Sequence, residues 1–275
     1  MRIAATLVSV GLSVCLGTLA AAEAQPGKKA MMKPVMLISP EDFQNPKAFV
    51  KEGDLLLVKG RGVFFSAKTI DVDPAGNYHF SVEYRTRSGS PVKILTGFVP
   101  LDGNGKAISA KTVGRITGTE TETVVEAYRG EKILRVKDAS GWKVNLSDGY
   151  VAFDAKADLS DLPNPSVFPM VKNGVEKEGN VWKITLKNPL QKNIPAGMKV
   201  RQHTGGGAYI WNPVRDYQQG KWILRCSKLI GPAGKPDKAR YSVWPGMKKA
   251  RFVLLVNGKA DSVTEIRNVK IEEVR

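Results

Sequence analysis

The sequence predicts an all-β sandwich, on three observations. Short β-branched and aromatic runs alternate apolar and polar residues with period two, notably residues 63–70, 78–86, 93–100 and 181–187. Clusters of Gly, Pro, Asn and Asp separate such runs, at residues 73–77, 102–105, 195–197 and 232–236, a spacing suited to stacked antiparallel sheets. No sustained helical stripe occurs anywhere in the 275 residues.

Taken in order, residues 1–24 read as a secretory signal peptide. Arg2 precedes an apolar run to Ala22, and Ala22-Glu23-Ala24 offers the small-x-small pattern that signal peptidase cuts ahead of Gln25. The run is about long enough to cross a bilayer, but no Lys/Arg cluster follows closely enough to stop transfer, so cleavage is favoured over anchoring. Val14 before Cys15 disfavours lipoprotein processing. The expected product is secreted or periplasmic, with no stable membrane span in the mature chain.

Residues 25–53 are expected to form a basic, Met-rich leader and one short helix. Ser39 is placed to cap residues 40–50, with Phe43 and Phe49 on a shared side. Residues 54–118 supply the first part of a sandwich. Residues 119–212 differ in texture, with the Gly130 to Trp142 stretch, Tyr150 to Phe153 and a Pro-broken loop from Asp158, and are expected to be an inserted β module. Strands of the first kind resume in residues 213–275.

Composition narrows the chemistry. Cys15 leaves with the signal and Cys226 then has no partner, so the core must hold without disulfides. Cys226 alternates in phase with Trp222 and Leu224, and Trp222 and Trp142 read as core. The net charge of +16 is uneven: residues 170–275 carry 21 Lys and Arg against 8 Asp and Glu, whereas residues 1–169 carry 21 against 18. For an exported chain this points away from nucleic acid and towards an acidic polysaccharide or an anionic surface, with a merely solvated basic face as the bland reading.

The run from Trp222 to Ser227, the run from Tyr241 to Asn257 with its Pro245-Gly246 turn, and the closing strand from Thr264 to Glu273 together resemble a carbohydrate-binding module. The pattern is similar to the jelly-roll modules of the galactose-binding-like superfamily, and Tyr78 to Arg85 is similar to their early strand. The resemblance implies a jelly-roll sandwich built from the N- and C-terminal segments around the inserted module, with carbohydrate as partner. It implies no cofactor except the structural calcium that such modules often carry. Asp71, Asp73 and Asp102 offer oxygens for one, although turn chemistry accounts for them more cheaply.

Sugar recognition needs a flat apolar surface for the CH face of a pyranose and polar groups for its hydroxyls. The candidate binding residues are Arg201, His203, Tyr209, Trp211, Tyr217 and Trp244, all in the basic section. Tyr209 and Trp211 fall on one face of an extended segment beside Gly205-Gly206-Gly207, which reads as a hairpin turn. Catalysis has little to work with. His203 with Arg201 and Tyr209 is the one cluster that could begin a lyase, and Asp158 with Asp161 lacks any glycosidase pattern beyond proximity. The leading expectation is an exported, non-catalytic binder of an acidic glycan. The alternatives are a structural or protein-interaction protein of the envelope and, more weakly, an accessory polysaccharide lyase or hydrolase.

Overall fold

The computed structural model describes residues 32–213, 220–226, 230–231 and 242–274. The expected signal peptide, Tyr217 and the turn at 232–236 lie outside the described residues. The elements run β1 (Met32–Ile38), β2 (Val50–Glu52), β3 (Leu55–Lys59), β4 (Arg61–Asp71), β5 (Asn77–Ser88), β6 (Lys93–Leu101), α1 (Ala110–Val113), β7 (Thr121–Glu122), β8 (Ile133–Val136), β9 (Gly149–Phe153), β10 (Val167–Glu178), β11 (Val181–Leu186), β12 (Lys199–Thr204), β13 (Ile210–Pro213), β14 (Ile223–Cys226), β15 (Lys249–Asn257) and β16 (Val263–Val274). The protein is all-β, and its strands pair antiparallel throughout the named ladders.

Two sheets face each other across one core. The first has the order β14-β5-β16-β3-β2, with β1 beside β16; the second has the order β13-β6-β15-β4. From β3 to β6 and again from β13 to β16 the chain alternates between them, so each of these connections crosses the sandwich. Strict alternation supplies the buried faces. Tyr78, Phe80, Val82 and Tyr84 of β5 meet Ile94 and Phe98 of β6 and Phe252, Leu254 and Val256 of β15. Phe80 and Phe98 stand edge to face with centroids 4.7 Å apart.

The third sheet, β7-β12-β9-β10-β11-β8, has a separate core around Trp142, Phe153, Leu134 and Ile184. Its strands fall wholly between β6 and β13. The seam between the two cores is polar. Asn164 donates its N–H to the Thr112 carbonyl (2.8 Å), and Thr204 donates to Gly114 (2.8 Å), which ties α1 to the module.

Several local expectations differ from the structure. Residues 32–38, expected within a leader, form β1 against the last half of β16. The helix expected over residues 40–50 is two 3-10 turns, Pro40–Asp42 and Pro46–Ala48. Pro46 disfavours helical backbone at Asn45 and has no N–H to continue a ladder. Phe43 and Phe49 still share a side, packing 4.7 Å apart in the sandwich core. The glycines at 205–207 are the crossover from β12 back to the sandwich rather than a hairpin, and sandwich strands resume at Ile210. In β14 the phase is inverted: Ile223 packs on the core, while Leu224 is 41 % exposed and Trp222 lies outside the core between Arg85 and Arg267.

Candidate functional site

The sequence-predicted residues divide between two places. Arg201 and His203 are wholly buried, because β12 is covered on both faces. Val200 joins the module core on one face, and the loop from Ala155 to Asn164 together with α1 closes the other. Arg201 donates from Nε to His203 Nε2 (2.9 Å), from Nη1 to the Lys156 carbonyl (3.2 Å), and from Nη2 to Asp161 Oδ2. Asp161 also accepts from Asn164 Nδ2 (2.8 Å) and, through Oδ1, from the Lys156 N–H (3.2 Å).

This geometry fixes the His203 tautomer. Nε2 accepts from Arg201, so the ring proton sits on Nδ1 and donates to the Lys111 carbonyl at 2.8 Å. Burial is the main influence on its titration and pulls the pKa down to about 4, the Arg201 charge acting in the same direction. A neutral histidine with both nitrogens engaged and a guanidinium hydrogen-bonded through all three nitrogens present nothing to a glycan. Arg201 and His203 therefore join the seam rather than a binding surface. Removing one partner of so deeply buried an ion pair costs about 3–5 kcal/mol, because the other is left uncompensated. Trp244 is likewise in the sandwich core at 4 % exposure.

The acidic candidates have turn and seam roles. Asp73 accepts from the Ala75 N–H (2.9 Å), Asp102 from the Asn104 and Lys106 N–H groups (2.9 Å each), and Asp158 from Ser160 (3.0 Å). Among the described residues no three His, Cys, Asp or Glu side chains gather as a metal ion would need.

Tyr209 and Trp211 lie elsewhere, on the outer side of the four-stranded sheet. Because Ile94, Thr96 and Phe98 of β6 point inward, Leu95, Gly97 and Val99 point out. The register then defines a row across four strands: Trp211 pairs with Gly97, Gly97 with Val253, and Val253 with Phe65. Val253 is fully buried yet belongs to neither core, as expected of a residue roofed from outside. The roof is aromatic. Tyr209 stands edge to face with Trp211 at 5.1 Å and tilted against Phe65 at 5.7 Å, and all three rings are half-buried.

Beside them runs an open groove of about 500 Å³, within the size range of ligand pockets. Val99 and Arg251 line its floor, and Gln44, Phe65, Ile108, Ser109 and Tyr209 line its sides. Two local features shape it. Gly97 lets β13 approach closely, since a Cβ there would stand 2.3 Å from the Ile210 carbonyl oxygen. A bulge in β4 sets residues 66–68 opposite Phe252, where Ser66 Oγ accepts the Phe252 N–H (3.0 Å) and donates to the Lys68 carbonyl (2.7 Å).

Sequence reasoning missed Phe65, Gln44 and Arg251. Signals for two of them were present. Phe64 and Phe65 are adjacent in a strand, so one of them must face outward, and Arg251 interrupts an apolar run in the phase opposite to Ala250 and Phe252. Gln44 comes to the groove through a tertiary contact, its N–H donating to the Phe65 carbonyl at 2.9 Å. No family model and no curated protein matches the chain.

Proposed function

We propose that the protein is an exported carbohydrate-binding β-sandwich protein that binds rather than cleaves, and that its glycan lies on the outer side of the four-stranded sheet. The observation that carries the reading is the aromatic row of Phe65, Tyr209 and Trp211 beside the groove. These rings are half-buried on a solvent-facing sheet, where the central core gives no reason for three of them to assemble. Apolar ring faces beside amide and hydroxyl groups, here Gln44 and Ser109, suit the two chemistries of a pyranose. Export is supported by the small-residue cleavage pattern after the apolar N-terminal run. Non-catalytic binding is supported by the commitment of His203 and Asp161 to the buried seam.

An acidic glycan suits the charge. Arg61, Lys93, Lys249 and Arg251 all project from the outer side of this sheet, and none has an ion-pair partner among the described residues. The test is Trp211→Ala, with affinity followed by titration calorimetry against a panel of neutral, uronate-bearing and sulfated polysaccharides. The wild type should bind at least one of them, and the substitution should weaken that binding at least about tenfold, or ~1.4 kcal/mol. A protein that binds none of them, or whose binding ignores Trp211, would instead be read as an envelope interaction protein.

A further inference from the structure

Arg251 sits third in β15, between Ala250 and the apolar run Phe252 to Val256, and opens onto the groove floor next to Val99. Its Nε is shielded from solvent and finds no hydrogen-bond acceptor among the described residues. An unpaired buried donor on a charged group is costly, and folded proteins rarely keep one without a use for it. The charge is uncompensated as well. Among the described residues no carboxylate forms an ion pair with Arg251, whereas Arg85, Arg87 and Arg267 on the opposite sheet are each held by Glu265, Glu52 or Glu83.

The surroundings explain why an acceptor is missing. In register, Arg251 lies between Val99 and Thr69, and the next outward row is Gly97, Val253 and Phe65, so the strand neighbours offer apolar surface and one hydroxyl. The β4 bulge begins directly after Phe65, so the regular ladder beside Arg251 is interrupted at this point. The guanidinium thus has an apolar floor, an aromatic wall in Phe65 and Tyr209, and an open side.

We infer that Arg251 is the specificity-determining residue of the groove and takes the oxyanion of an acidic sugar, a carboxylate or a sulfate, on the open side of its guanidinium. This rests on the carbohydrate reading above and deepens it, because it separates a positioned contact from general attraction to a basic surface. A guanidinium edge offers two parallel N–H donors at the spacing of two oxygens on one anion. The anion would supply the counter-charge that no described carboxylate provides, while the sugar's CH face rests against the adjoining rings.

The experiment compares acid and neutral forms of one polymer. Polygalacturonate is set against its methyl ester, and dextran sulfate against dextran, with wild type, Arg251→Gln, Arg251→Lys and Trp211→Ala. The acidic member of at least one pair should bind wild type about tenfold or more tightly than its neutral counterpart, as a charge-assisted bidentate contact requires. The pair that discriminates identifies the anion as carboxylate or sulfate. Arg251→Gln and Arg251→Lys should both lose the discrimination, the lysine variant included, because it keeps the charge but has no planar edge. Thermal melting guards against misfolding, and neither Arg251 variant should melt below wild type, since an unsatisfied buried donor is removed. Binding that depends on Trp211 but is indifferent to esterification, sulfation or Arg251, or that the Arg251→Lys variant sustains in full, overturns the inference and leaves the carbohydrate reading intact. Absence of binding by all four polymers, or binding indifferent to Trp211, overturns both.

Discussion

At the scale of single residues, His203 shows how burial decides chemistry. The imidazole is neutral because desolvation opposes its charge and because Arg201 places an N–H, not an acceptor, at Nε2. A histidine whose folded pKa lies near 4 and whose ordinary value is 6.5 binds a proton in the unfolded chain before it does so in the folded one. Its contribution to stability is therefore complete above about pH 6.5 and is lost as pH falls towards about 4, amounting to ~3 kcal/mol over the interval. Urea unfolding of wild type and His203→Gln across this window checks it. Wild-type stability should fall more steeply with acid than that of the variant, and parallel slopes would mean that His203 is not the titrating group. Asp161 and Arg201 lie in the same network, so the seam between the cores should loosen with it.

At the scale of elements, Gly97 links the sandwich to the candidate site. A Cβ here would collide with the Ile210 carbonyl of β13, and the register partner of Gly97 is Trp211. Gly97→Ala should push β13 outward, costing about 1–3 kcal/mol as overpacking does and weakening glycan binding by displacing Trp211. Thermal denaturation and binding titrations on the same samples report both effects, and an unchanged melt with unchanged affinity would mean the strand is free to shift. The strands themselves were legible in the sequence, because residues such as Tyr78, Phe80, Val82 and Tyr84 repeat at the period of a half-buried strand. Tyr209 and Trp211 were legible as a pair for the same reason. What period two does not carry is which phase faces in. Trp222 and Leu224 looked like core and lie outside it, while Arg201 and His203 looked like surface donors and are buried. Both errors have one origin: a strand's burial depends on what covers each side, and the Asp161 loop that covers β12 lies 40 residues away in sequence from Arg201.

At the scale of the whole molecule, the net charge of +16 is arranged differently on the two faces of the sandwich. On the six-stranded sheet three arginines are laced to carboxylates: Arg267 holds Glu83 at 2.7 Å, Arg87 holds Glu52 at 2.7 Å, and Arg85 holds Glu265. Both Arg85 and Arg267 also stack on Trp222. On the outer side of the four-stranded sheet, Lys93, Arg61 and Lys249 have no such partners among the described residues, although Asp71 stands in register beside Lys249. Unpaired charge projects a field into solvent, whereas ion-paired charge largely cancels within a few ångströms. A polyanion should consequently be drawn to the aromatic side, and the attraction should be screened as the Debye length shrinks to about 8 Å at physiological salt. Binding of an acidic polysaccharide followed from about 50 to 300 mM NaCl should weaken steeply, and Lys93→Gln with Lys249→Gln should flatten that dependence. Arg87→Gln on the other sheet should leave it nearly unchanged, because that charge is already answered by Glu52 and Glu265. If both replacements flatten the salt dependence equally, the field is a property of total charge alone and the orientation of the sandwich towards its ligand must come from the groove.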